Sequence, residues 1–198
     1  MFVMFMAIPV SANDIYVTQS GASLTLDVLQ DGQNNTIGNS TTASTSTGAS
    51  PNLNIDQVGN SNNVDLNCDS TGNNSSCGTA NAVINFTGNS NDIDLDIGQT
   101  SAATSADVDI VGQTGSDSNI VAATVDGTSA ILTITINGDS NNYLLDIDGN
   151  GDINGHTLVH SHTGGLADVD ITQSGINDNI INLTTSGDSH NIDIIQRD

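Results

Sequence analysis

One short block recurs along the chain, and it constrains the fold more than any other feature. Apolar residues take every second position and a glycine ends the run, in the pattern apolar-x-apolar-x-(Gln or apolar)-x-Gly. It reads Ile15/Val17/Gln19/Gly21, Leu26/Val28/Gln30/Gly32 and Leu53/Ile55/Gln57/Gly59 near the start. The middle carries Ala82/Ile84/Phe86/Gly88, Ala106/Val108/Ile110/Gly112, Val121/Ala123/Val125/Gly127, Leu132/Ile134/Ile136/Gly138 and Tyr143/Leu145/Ile147/Gly149. Leu158/His160/His162/Gly164, Val169/Ile171/Gln173/Gly175 and Ile181/Leu183/Thr185/Gly187 follow, and Ile192/Ile194/Gln196 runs off the end. Successive side chains of a strand point to opposite faces, so this alternation predicts strands with one buried face. Ile and Val dominate the buried positions, as strands favour.

A strand and a turn cannot bury an apolar face alone, whereas stacked copies can; a fixed period of this kind predicts a solenoid. Gly21, Gly32, Gly59, Gly88, Gly127, Gly138, Gly149, Gly164, Gly175 and Gly187 are the expected turn glycines, supplying positive φ. Two units of about 11 residues make one rung, and residues 13–198 then hold about seven or eight strand-turn-strand rungs of an all-β solenoid. Two places break the pattern. Residues 38–50 are polar throughout and read as a loop or a weak strand, and residues 68–77 form an insertion bounded by Cys68 and Cys77.

Charge narrows the function. The chain has 23 acidic residues, all Asp, against one basic residue, Arg197, for a net charge of −22. A polyanion lacks the cations that contact nucleic acid or an anionic membrane. The absence of Lys and Glu removes good helix formers as well. Nothing resembles a nucleophile motif, and the short turns leave no cleft, so the chain reads as non-enzymatic. Residues 2–10, FVMFMAIPV, followed by Val10-Ser11-Ala12, read as a signal peptide over residues 1–12. The apolar run is too short to span a bilayer. The expected location is therefore secreted, outside the cell or at its surface.

Gln19 and Gln30 stand eleven apart, and Gln30-Asp-Gly32-Gln-Asn-Asn35 and Gln57-Val-Gly59-Asn-Ser-Asn62 share Gln-x-Gly-x-x-Asn. This resembles the curlin repeat of bacterial curli fibres. The resemblance covers most of residues 13–198 and includes Ile192-Asp-Ile-Ile-Gln196-Arg197, which is similar to a truncated last repeat. It implies rungs stacked within a subunit and subunits stacked end to end into an extracellular functional amyloid of biofilm matrix, adhesion or surface coat. It also implies a nucleator subunit and an outer-membrane export channel as partners, beside the chain itself. The chain departs from the family where Phe86, Ile110, Ile136 and Ile147 replace Gln, where Gly115 and Gly175 have Asn four residues on, and where no export segment separates leader and repeats.

Individual residues carry further expectations. Gln19, Gln30, Gln57, Gln173 and Gln196, with Asn35, Asn62, Asn91 and Asn141, are expected in stacked amide ladders, which resist register slip. Cys68 and Cys77 are expected to form a disulfide, as in other secreted chains. Asp146, Asp148, Asn150 and Asp152 resemble the start of a calcium loop, although its twelfth position is Thr157. Calcium is the one candidate cofactor, and it supports the rival reading of a calcium-dependent acidic adhesin or ion-binding module. His156, His160 and His162 cluster, and the last two share a strand face, as metal pairs require; filling an irregular rung is the competing role. Outward Asp94, Asp96, Asp107, Asp109, Asp168, Asp170 and Asp193 are expected to stack along the axis and repel.

Overall fold

The computed structural model describes residues 14–20, 25–38, 44–47, 51–68, 79–98, 105–127, 129–148, 156–174 and 179–197. The described chain is all-β, a parallel β-solenoid. Its first sheet holds β1 (Asp14–Ile15), β2 (Thr18–Ser20), β4 (Thr36–Ile37), β5 (Ser44–Thr47), β7 (Asn63–Cys68), β9 (Asp92–Ile97), β11 (Ile120–Asp126), β13 (Asn142–Asp148), β15 (Asp168–Ser174) and β17 (Asn191–Arg197). Its second holds β3 (Thr25–Asp31), β6 (Asn52–Val58), β8 (Thr79–Thr87), β10 (Ser105–Gly112), β12 (Ala130–Asn137), β14 (Thr157–Thr163) and β16 (Ile180–Ser186). From β6 on, even strands fall in the second sheet and odd strands in the first, so the chain alternates between sheets and climbs; before that, β1–β2 and β4–β5 belong to the first sheet and β3 to the second. Every pairing is parallel.

The alternation decides which residues meet. In β8 the residues Ala80, Ala82, Ile84 and Phe86 are buried, and in β9 Ile93, Leu95 and Ile97 are. These columns from both sheets form one continuous core. Burying one such aliphatic side chain contributes roughly 1.5–3 kcal/mol, and the column supplies one at every level.

The two edges differ. From the second sheet to the first the chain turns through tight arcs at Gly32–Asn35, Gly59–Asn62, Gly88–Asn91, Gly138–Asn141, Gly164–Ala167 and Gly187–His190. The fourth arc, Gln113–Asn119, is longer. Extra residues enter mainly at the opposite edge, so ladder partners lie 27, 29, 28 and 22 residues apart rather than at one period.

Gly112 ends its block as the turn glycines do but lies outside the arc: it ends β10 as a buried residue in register between Phe86 and Ile136. A Cβ there would stand 2.7 Å from Phe86 Cζ and 3.0 Å from Ile136 Cγ1, so glycine makes room for the phenylalanine ring. Gly127 lies on the opposite edge, bridged just after β11. Within 38–50, Ser44–Thr47 is a strand paired to β2 and β7; residues 39–43 and 48–50 lie outside the described residues. So do Gly21, Gly149 and Gly175.

Candidate functional site

The arcs hold a ladder. Asn35, Asn62, Asn91, Asn119 and Asn141 are buried at the last arc position before β4, β7, β9, β11 and β13. The backbone N–H of each donates to the side-chain Oδ1 of the next: Asn35 to Asn62 at 3.0 Å, Asn62 to Asn91 at 3.0 Å, Asn91 to Asn119 at 2.8 Å and Asn119 to Asn141 at 2.9 Å. Amide-to-amide bonds reinforce it, with Asn91 Nδ2 and Asn119 Nδ2 each 3.1 Å from the next Oδ1. Buried backbone donors must find acceptors, and these side chains provide them where the turn interrupts the sheet.

A second ladder runs the other way on the outer rim of the same arcs. Asn89 N–H donates to Asn60 Oδ1 at 2.6 Å, Asp117 N–H to Asn89 Oδ1 at 2.8 Å and Asp139 N–H to Asp117 Oδ1 at 2.5 Å. Gly165 N–H donates to Asp139 Oδ1. Between the two ladders sits a residue in the left-handed region: Asn34, Ser61, Ser90, Ser118, Ser140, Leu166 and Ser189, with φ from 55° to 66°. Such residues cost on the order of 1 kcal/mol each, and the ladders on either side hold them. Of the arc glycines, Gly32, Gly59, Gly88, Gly164 and Gly187 have positive φ; Gly138, expected to share it, does not, and close approach alone requires it, since a Cβ there would stand 2.6 Å from Asp117 Oδ1. A Cβ on Gly88 would stand 2.7 Å from Asn60 Oδ1 and from the Gly59 carbonyl carbon in the arc below.

Neither Asn119 nor the outer ladder was expected. Its arc is two residues longer than the neighbouring ones, and Asn119 stands four positions after Gly115. The usable signal was the Ser-Asn pair before β7, β9, β11 and β13, at 61–62, 90–91, 118–119 and 140–141.

The glutamines form two separate pairs on opposite sheets. Gln57 Nε2 donates to Gln30 Oε1 at 2.9 Å in the second sheet, and Gln196 Nε2 to Gln173 Oε1 at 3.2 Å in the first. Gln19 belongs with the second pair, not with Gln30: it lies in β2, opposite Ser46. Between the pairs the columns turn apolar, through Phe86, Gly112 and Ile136 in one sheet and Ile97, Val125 and Ile147 in the other.

The last rungs are filled by imidazoles. His160 and His162 point inward from β14 and are fully buried, as is His156 just before it. Tyr143 crosses the core to them. Its hydroxyl meets His162 Nδ1 at 2.9 Å, and its ring meets the His160 ring edge-on at 4.4 Å. His190 packs on His162 at 5.3 Å. Burial, then the neighbouring His162, push the His160 pKa down to about 4. Burial and His190 lower His162 against a smaller opposing pull from Asp139. Burial raises the Tyr143 hydroxyl. His156 Nδ1 accepts the Ala130 N–H at 3.1 Å. Among the described residues no group of three or more His, Cys or Asp side chains is placed to hold a metal.

Two of the four calcium-loop candidates are among the described residues. Asp146 and Asp148 belong to β13 rather than to a loop, facing Thr124 and Asp126 in register; Asn150 and Asp152 lie outside the described residues. Cys68 is buried and disulfide-bonded. The other cysteine of the chain, Cys77, lies outside the described residues. The outward acids do not form continuous rows. In the strands Asp meets Asp in register at Asp65–Asp94, Asp126–Asp148 and Asp170–Asp193, whereas elsewhere amides intervene: Asn54, Asn85 and Asn191 donate to Asp27, Asp56 and Asp168 at 3.0, 2.8 and 2.8 Å.

Among the described residues the first sheet is open at its C-terminal edge. β17 pairs only with β15, and all seven of its residues are exposed. Its inward-column Ile192 and Ile194 are 39% and 42% exposed, whereas Val169 and Ile171 one rung below are buried. Among the described residues no helix is long and apolar enough to cross a membrane. No family model, curated protein or solved structure matches this chain.

Proposed function

We propose that the chain is a secreted, non-enzymatic structural protein that assembles end to end into extracellular amyloid-like fibres of the curli type. Seven strands in the second sheet support a reading of about seven or eight curlin-like rungs. One observation carries the proposal: β17 leaves its outer backbone edge unpaired and its apolar column half exposed. An open edge templates further pairing, and covering each half-exposed isoleucine contributes on the order of 1 kcal/mol. The ladders add register, since each rung offers amide donors and acceptors only at fixed positions. The implied roles are biofilm matrix, adhesion or surface coat, with a nucleator and an outer-membrane channel as further partners.

The test is negative-stain microscopy and fibre diffraction on concentrated protein, with and without residues 1–12. Unbranched fibres with a meridional reflection near ~4.7 Å are expected. A chain that stays monomeric for days in both forms overturns the proposal.

A further inference from the structure

The arc after β10 is two residues longer than its neighbours, and a groove lies beside it on the outer face of the second sheet. Gln113 still pairs with the sheet, its N–H donating to the Phe86 carbonyl at 2.9 Å. Its own carbonyl accepts the Ser116 N–H at 3.1 Å, and Gly115 turns the chain with φ of 79°. Gln113 and Thr114 thus line one side of the groove, next to a floor made by β6 and β8. The groove holds about 610 Å³, within the roughly 300–1,000 Å³ that small-molecule sites occupy.

Register sets the floor. Asp56 lies opposite Asn85 and Val58 opposite Thr87, with Leu29 beside Asp56 on β3. Asn85 Nδ2 donates to Asp56 Oδ1 at 2.8 Å, which fixes both side chains. Among the described residues, the side chains of Asp56, Asn85, Thr87, Gln113 and Thr114 make no other hydrogen bond. That leaves a second carboxylate oxygen, the Asn85 amide oxygen, a whole glutamine amide and two hydroxyls for a ligand. Next to them Leu29 is 73% exposed and Val58 40%.

These groups select a class of ligand. The backbone groups of the floor are spent in the sheet ladders, so a ligand here is held by side chains, not as an added strand. An anion would meet the Asp56 carboxylate with no cation to offset it, since the one basic residue, Arg197, stands in the other sheet. A wholly apolar ligand would cover polar side chains without pairing them. A neutral sugar satisfies both parts of the lining: its hydroxyls donate and accept, and its C–H face packs on aliphatic side chains. Floor positions repeat about 4.8 Å apart between strands and about 6.6 Å along one, so a single ring reaches several of them.

We infer that this groove is a binding site for a neutral saccharide, with Asp56, Asn85, Thr87 and Gln113 on its hydroxyls and Leu29 and Val58 against its ring. The site lies on a sheet face, not at the β17 edge, so it goes beyond the self-assembly reading and does not depend on it.

Saturation-transfer NMR on the full chain tests it, free or assembled, with cellotetraose, maltotetraose and N-acetylated chitotetraose as neutral probes and tetragalacturonate as the anionic one. At least one neutral probe is expected to bind with Kd on the order of 1 mM, and tetragalacturonate is not. Asn85→Ala and Gln113→Ala should each weaken binding roughly three- to tenfold. Thr87→Val, which keeps the shape and loses only the hydroxyl, should weaken it as well. Asn182→Ala, at an exposed position of β16 in the same sheet, should leave it unchanged. Three results each overturn the site: no neutral probe binds, tetragalacturonate binds equally, or the three groove variants all bind as the unsubstituted chain does.

Discussion

The amide ladder ends at Asn141, and the rungs on either side of that point are closed by different chemistry. From Asn35 to Asn141 each arc is sealed by a neutral amide that donates and accepts at any ordinary pH. Beyond it Ala167 takes the ladder position, and His190 follows with Nδ1 3.4 Å from the Ala167 N–H. The adjoining core is Tyr143, His160 and His162 in place of aliphatics. The inner ladder position is thus held by pH-indifferent amides in the first five arcs, and by Ala167 and the titratable His190 in the last two. The last rungs are also the ones that carry the open end.

Acid should expose this difference most. His160 is fully buried and neutral, with its folded pKa pushed down to about 4 from an unfolded value of 6.5. Between those values the unfolded chain binds the proton and the folded chain does not. Stability is full above pH 6.5 and falls as pH drops through that window, by about 3 kcal/mol for this group. Lowered His162 acts in the same direction. Amide exchange at pH 7 and pH 4.5 should show protection lost in β14, β16 and β17 before β8 to β11. Uniform loss along the chain would erase the comparison. His160→Leu should remove most of the acid sensitivity.

Asn91→Ala comes next, at about 2–3 kcal/mol. It leaves the buried N–H of Asn62 without its acceptor and removes the amide bond to Asn119. The fall in thermal midpoint should exceed that of His190→Ala, because the C-terminal arc lacks a continuous ladder to break. Ala167→Asn tests the reverse and should be smaller. Its amide would accept the Asn141 N–H and extend the ladder by one rung, stabilising by about 1 kcal/mol and lessening the acid loss at β16 and β17.

Much of this was legible in the alternation. Period two placed Ile93, Leu95 and Ile97 inward and Asp94 and Asp96 outward, because a strand admits no other choice. What alternation cannot give is which strand is next. With rungs of 22 to 29 residues, neighbours are set by insertions at one edge. That is why Gln19 and Gln30, eleven apart, look like a ladder and lie on opposite sheets. The same uncertainty hid Gly112, which resembles every other block-ending glycine and differs only in standing between Phe86 and Ile136. Asn119 was lost to two extra arc residues. The imidazole core was half legible: His160 and His162 sit in inward positions, but only the fold brings Tyr143 and His190 to them.

The smallest expected effect lies on the outer face of the first sheet, where the amide-sealed half carries its own titratable group. Asp65 stands opposite Asp94, with Asp92 alongside. Burial, then the Asp94 and Asp92 carboxylates, raise the Asp65 pKa, and burial with Asp94 raises that of Asp92. The sign is opposite to that of His160. A carboxyl raised above its unfolded value of 3.8 is a stabilising contribution present in acid and lost as pH rises through the folded value. At neutral pH the pair is therefore a standing repulsion, with no Lys in the chain to offset it. Like charges opposite one another in a sheet cost roughly 0.2–1 kcal/mol. Asp65→Asn should stabilise the folded chain by about 0.5 kcal/mol at pH 7, and by less at pH 4 or in 1 M salt, where the Debye length is ~3 Å. Denaturant midpoints at the two pH values and two salt concentrations measure it. A gain that stays constant across all four conditions would mean that the substitution acts through packing or strand preference, and that the two halves do not carry opposite responses to acid.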